Sequence, residues 1–129
     1  MSSRTIVPDG YQSVTPYLTV ADADSLIAFL VAAFDGSIIK ENRYENGRIQ
    51  HARVRIGTSI IMLNESSETY PANISQLHVF VSNADTVYEA ALKAGAVILM
   101  TPNDRPHGDR MAGIKDPCGN IWWIATHNG

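Results

Sequence analysis

Apolar and polar positions alternate along this chain in two periods, and the order in which the periods change occurs twice. Val14 to Val20 reads as a short strand. Asp22 is placed to cap a helix, and Leu26, Ile27, Leu30, Val31 and Phe34 then recur at helical spacing until Asp35-Gly36 stops them. Ser37 to Tyr44 reads as a strand, and Asn46-Gly47 as a hairpin turn. From Ile49 to Ile56 the alternation is strict: Ala52, Val54 and Ile56 on one face, His51, Arg53 and Arg55 on the other. Gly57-Thr58-Ser59 turns the chain into a further strand, Ile60 to Leu63, and the polar stretch to Asn73, with Pro71, reads as a linker.

The same order then begins again. Ile74 to Val81 is a strand and Asn83 a cap. Val87, Ala90, Ala91 and Ala94 form a helical stripe that Gly95 ends. Ala96 to Met100 is a strand, and Thr101 to Asp109 is expected to be a loop because it holds two prolines. The last hairpin turns at Asp116-Pro117-Cys118-Gly119 and leads into the aromatic strand Asn120 to Thr126. Val20 and Val81, Ala23 and Ala84, Asp24 and Asp85, and Ile60 and Ile121 are all separated by 61 residues. An offset kept from first strand to last indicates a duplicated βαβββ module. The fold class is therefore α+β, with modules 14–64 and 74–127 joined by linker 65–73 into one domain over 14–127.

Composition narrows the function classes. At 129 residues, with 45% hydrophobic and 18% charged positions, the chain is expected to be a single soluble domain. The net charge of −3 and the lack of a basic block argue against nucleic acid. No apolar run is long enough to span a bilayer, and Met1 to Gly10 lacks an apolar leader. The single cysteine, Cys118, cannot pair within the chain, which fits a cytoplasmic location; it reads as a small turn residue rather than a reactive thiol.

Three stretches resemble the vicinal oxygen chelate superfamily, which includes glyoxalase I, bleomycin resistance proteins and extradiol dioxygenases. They are residues 16–24, residues 56–63, and Gly108-Asp109-Arg110 together with residues 116–122. The last is most similar to the glyoxalase-like or PhnB-like subgroup. The resemblance implies two curved sheets that pair into a cup, and a homodimer. In the family's enzymes it also implies one divalent metal held by side chains on the first and last strands of each module. The matching positions here are Thr15, Met62, Gln76 and Trp123. None is a histidine or a carboxylate, the donors such a site uses, so no cofactor is expected.

Strand parity extends the cup lining. Tyr17 and His78 share the inward side with Thr15 and Gln76, while His51 and Arg53 are placed toward the cup and Arg110 is expected to join them. Trp123 and Tyr17 would offer faces for stacking, and an arginine would favour an anionic group. Two functional readings follow. The first is a metal-free binding protein for a small planar or amphipathic molecule. The second is an enzyme of the same superfamily, a lyase, isomerase or dioxygenase type, with His78 as general base or with His51 and His78 as displaced metal ligands. A vestigial cup, with Trp123 merely filling it, is the bland alternative, and His107 and His127 read as surface residues.

Overall fold

The computed structural model describes residues 6–128. Strand β1 is Tyr17–Val20, helix α1 Ala23–Phe34, β2 Ser37–Arg43, β3 Ile49–Ile56 and β4 Ser59–Glu65. The second half repeats the series as β5 Gln76–Phe80, α2 Ala84–Lys93, β6 Val97–Asp104, β7 Arg110–Lys115 and β8 Ile121–Thr126. Each half forms one four-stranded sheet, ordered β1-β4-β3-β2 and β5-β8-β7-β6. In both, the first strand runs parallel to the last and the other pairs are antiparallel.

The caps read from the sequence form. Asp22 accepts from the Ser25 amide at 3.1 Å, and Asn83 accepts from the Thr86 amide at 3.1 Å. The two helices end alike, with a left-handed residue: Asp35 (φ 55°) in the first module and Gly95 (φ 104°) in the second. Helix α1 buries Phe29 as well as Leu26, Ile27, Leu30 and Phe34, while Val31 is exposed. Helix α2 buries Ala84, Tyr88 and Ala91, and Val87 is only half-buried.

Two expectations change. The offset of 61 holds for β1/β5, for the helix starts and for β4/β8. Between them the left-handed helix end, the second strand and the third strand repeat at 60: Asp35 matches Gly95, and Ala52 and Val54 match Ala112 and Ile114. The second module is one residue shorter around its helix and one residue longer in its last hairpin. The second change concerns Thr101 to Asp109. Strand β6 continues through Pro102 to Asp104. It is an edge strand with a shifted register between Met100 and Asn103, where a residue without an N–H costs no ladder bond.

One core joins the halves. Leu18, Val54, Leu63, Ile114, Trp122 and Ile124 face the helices with at most 2% exposure. Phe34 at the end of α1 packs on Trp122 of β8, with ring centroids 4.8 Å apart. The turn before β8 is held by the buried Asp116 side chain. It accepts from the amides of Cys118 (2.8 Å) and Asn120 (3.0 Å) and from Trp122 Nε1 (2.9 Å). Asn120, fully buried, accepts from the Ser75 amide at 2.8 Å and so ties this turn to the start of β5.

Replacing Asp116 by Ala leaves the Cys118 and Asn120 amides, the Asn120 side-chain amide and the Trp122 indole N–H without that acceptor. Asp116→Ala is expected to cost on the order of 3 kcal/mol, and Asp116→Asn, which keeps one oxygen, clearly less. Chemical denaturation checks both; an Ala variant as stable as the parent would show that the turn does not depend on this side chain.

Candidate functional site

Strands β1 and β5 are the inner edges of the two sheets and do not pair with each other. Between them lies a groove of about 960 Å³, to which Thr15 and Tyr17 contribute from one side and Gln76, His78 and Phe80 from the other. On the strands beyond them, one face of each sheet is turned to the helices and the other away from them. Cross-strand partners point to the same face of a sheet. In the first sheet Tyr17, Met62 and Arg53 form one row; in the second, His78, Trp123 and Gly113 form its counterpart.

The first wall is polar. Arg53 Nε donates to His51 Nε2 at 2.8 Å, and its Nη1 donates to Tyr11 Oη at 3.0 Å. Arginine has donors only, so His51 Nε2 must be an acceptor and, in the neutral ring, the proton sits on Nδ1. His51 Nδ1 lies 3.0 Å from Tyr17 Oη and donates to it. The Tyr17 hydroxyl proton is thereby left free to point outward. Burial, and then the positive charges of Arg53 and Lys40, hold His51 below the ordinary histidine range, which keeps the ring neutral and the relay intact. Beside it Thr19 Oγ1 donates to Asn64 Oδ1 at 2.8 Å.

The second wall is aromatic. The Trp123 ring lies across the Gly113 backbone: a methyl at Gly113 would meet ring atoms Cζ3 and Cε3 at 2.5 and 2.8 Å. The indole Nε1 donates to Gln76 Oε1 at 2.6 Å. The ring is thus seated on one strand and tethered to another, and it remains half-exposed. Arg53 in the first module corresponds to Gly113 in the second, so the repeat places a cation on one wall where the other leaves room for an indole. Along the same face His78 packs on Phe80 (4.6 Å), and Phe80 meets His127 edge-on (6.4 Å).

The nine residues expected at the cup do not all arrive there. Thr15, Tyr17, Gln76 and His78 line the groove, whereas His51, Arg53, Met62 and Trp123 lie outside it, on the sheet faces turned away from the helices. Arg110 does not join them. It pairs with Thr126 on the helix side of its sheet and donates to Asp85 in the first turn of α2 at 3.0 and 3.1 Å. The first module ties Arg43 to the equivalent Asp24 at 2.6 Å. In both halves the repeated aspartate anchors the helix start to the sheet, and that contact draws Arg110 away from the cup.

Three contributors were not legible beforehand. Tyr11 comes from the irregular lead. Lys40 reaches the cup face because a bulge between Ile38 and Lys40 resets the parity of β2. His127, expected at the surface, is exposed, but its Nδ1 is bonded to the Asp109 carboxylate at 2.8 Å; Asp109 is buried, and His107 lies 3.7 Å from it. The spacing of His127 four residues past Trp123, on the same strand face, was the available signal. Cys118 is half-buried, with Sγ 3.3 Å from the Asp22 carbonyl, and burial pushes its thiol up, which suits a turn residue.

A divalent metal does not fit these positions. Thr15 offers a neutral hydroxyl, Met62 a soft thioether, and Trp123 no lone pair, while the Gln76 oxygen is taken by the indole. Among the described residues no three His, Cys, Asp or Glu side chains converge to hold an ion. His51 spends both ring nitrogens on Tyr17 and Arg53. His78 lines the groove without a hydrogen-bond partner among the described residues.

A family model for the glyoxalase/bleomycin resistance protein/dioxygenase superfamily matches residues 11–124. The chain belongs to that superfamily. An uncharacterized protein of Mycobacterium bovis is 31% identical over 121 residues, covering 85% of this chain and 80% of its own. TioX from Micromonospora sp. ML1 is similar in structure, with a TM-score of 0.74, 25% identity, and 92% and 98% of the two chains covered. A Bacillus cereus PhnB protein, titled a putative 3-demethylubiquinone-9 3-methyltransferase, shares the fold at a TM-score of 0.68 and 21% identity, covering 89% of this chain and 99% of that one. Among the described residues no helix is long and apolar enough to cross a membrane.

The lowered pKa of His51 has a thermodynamic consequence. An unfolded chain takes up a proton at its histidine near pH ~6.5, whereas the native ring resists it. The stability contributed by neutral His51 is therefore present above that pH and is lost as pH falls from there through the lowered native value. In NMR titration the His51 ring is expected to titrate below the ordinary range, and Arg53→Met to move its midpoint upward. A midpoint at the unperturbed value in the parent would contradict the relay.

Proposed function

We propose that this superfamily member is a metal-free binding protein that holds a small planar or amphipathic molecule in its cup. Trp123 carries the reading. It stands at a position that the superfamily's metalloenzymes give to a metal ligand, and it is immobilised by Gly113 beneath and Gln76 beside it. A fixed, half-exposed indole is a stacking surface whose ordering cost is met before the ligand arrives. Tyr17, Met62, Phe80 and His78 add apolar and polarisable area around it, and the Tyr17 hydroxyl and Gln76 supply hydrogen bonds.

A homodimer is part of the same proposal. The outer-edge strands leave Ile38, Ile39, Val97, Ile98 and Leu99 at 41–62% exposure, more apolar edge than a lone chain comfortably shows to water.

The test uses 2-naphthamide, a neutral planar probe. Trp123→Ala is expected to weaken its binding by more than about 1 kcal/mol, the scale of a lost aromatic contact, while Trp123→Phe keeps most of it. Calorimetry reads the affinities, with sedimentation velocity alongside to read the dimer. Equal binding by the parent and the Ala variant would refute the stacking role.

A further inference from the structure

The charges on the strands are segregated by face. Register assigns each strand side chain to the cup or to the helices. On the cup side are Lys40, Arg53, Arg55 and Lys115, beside Tyr17, Met62, Met100, Met111 and Trp123. The strands carry three acids, Glu41, Glu65 and Asp104. All three fall on the helix side, opposite Ala52, Val20 and Arg110. The whole chain has 13 acidic and 10 basic residues and a net charge of −3, so strand faces that carry four cations and no acid run against its composition. Of the loop acids, Asp109 is turned to His127 and His107, and Asp35, at the end of α1, lines the groove beside Ala33 and Phe34.

Arg53 sharpens the point. It is half-buried, and among the described residues no carboxylate lies within ion-pair distance of it. Two of its donors are spent on His51 and Tyr11, neither of them an anion, and Nη2 has no partner among the described residues. Those two contacts fix the guanidinium plane without neutralising it. A partly desolvated cation with an open donor edge is complementary to a carboxylate. The His51 relay then leaves the Tyr17 hydroxyl as a second donor on the same row of the sheet.

From this surface we infer that the cup's ligand is a planar aromatic anion. Its acidic group is held by Arg53 and the Tyr17 hydroxyl, with Lys40 adding long-range attraction, and its ring lies against Trp123. This rests on the stacking reading above and adds the charge class and its anchor. The clustering of like charges in a concave surface also raises the local concentration of anions, an effect that salt screens.

The experiment compares 2-naphthoate with its neutral isostere 2-naphthamide at neutral pH by calorimetry. Naphthoate is expected to bind about tenfold tighter, the scale of one charge-assisted hydrogen-bonded contact, with the margin shrinking as salt rises. Arg53→Met should remove that margin, so that the two probes bind alike, with circular dichroism reading its fold. Tyr17→Phe, which removes one oxygen, should reduce the margin in part, and it serves as the test should Arg53→Met not fold. Equal affinities, or a margin that survives in the folded Arg53 variant, would overturn the anion inference and leave the stacking reading standing. Binding of neither probe at millimolar concentration would count against both. Independently, nitrogen NMR should show the His51 proton on Nδ1; a proton on Nε2 would overturn the relay.

Discussion

The Asp116 carboxylate is the contact on which the cup's second wall depends. It gathers the last turn and binds Trp122 Nε1, which commits Trp122 to the helix side against Phe34. In a strand the next residue must then face the opposite way. Trp123 is thereby sent to the concave face, where Gly113 leaves space for it and Gln76 holds its N–H. Asn120 carries the constraint to β5 through Ser75, so the strand that bears Gln76 and His78 is aligned with the one that bears Trp123. A buried polar knot in a turn is thus the physical origin of an aromatic surface several residues away.

Duplication supplies the frame, and different side chains at equivalent positions make the halves differ. β1 and β5, and β4 and β8, keep equivalent positions and define a pseudo-symmetric groove. The third strands keep equivalent registers, with Arg53 beside Met62 and Gly113 beside Trp123, so an arginine in one half takes the place of a glycine in the other. One half then builds a hydrogen-bonded wall of Tyr17, His51, Arg53 and Tyr11, and the other a stacked wall of Trp123, His78 and Phe80. The two halves thus differ in chemistry, one cationic and hydrogen-bonded, the other aromatic, and the proposed ligand has two unlike ends to match.

Much of this was legible from the chain. Period-2 alternation gave the inward faces of β3, β4 and β8, and capping residues gave both helix starts, because these depend on neighbours in sequence. Arg110 was misplaced for the opposite reason: its direction is decided by Asp85, 25 residues away, and no local pattern records that contact. Lys40 was hidden by a bulge. The strand through Pro102 was hidden because an edge strand tolerates a proline that an inner strand would reject. Tyr11 was hidden in a segment with no periodicity. The directed relay from Arg53 through His51 to Tyr17 is a property of three side chains on different strands and of donor geometry, which only their juxtaposition reveals.

We propose that the cup takes an organic ligand where its superfamily's metalloenzymes take an ion. Native mass spectrometry of protein purified without chelator tests it most directly, since one spectrum resolves bound metal and bound organic mass together. The account predicts protein without a stoichiometric divalent ion, carrying an organic adduct that Trp123→Ala releases. One divalent ion retained per cup would contradict it.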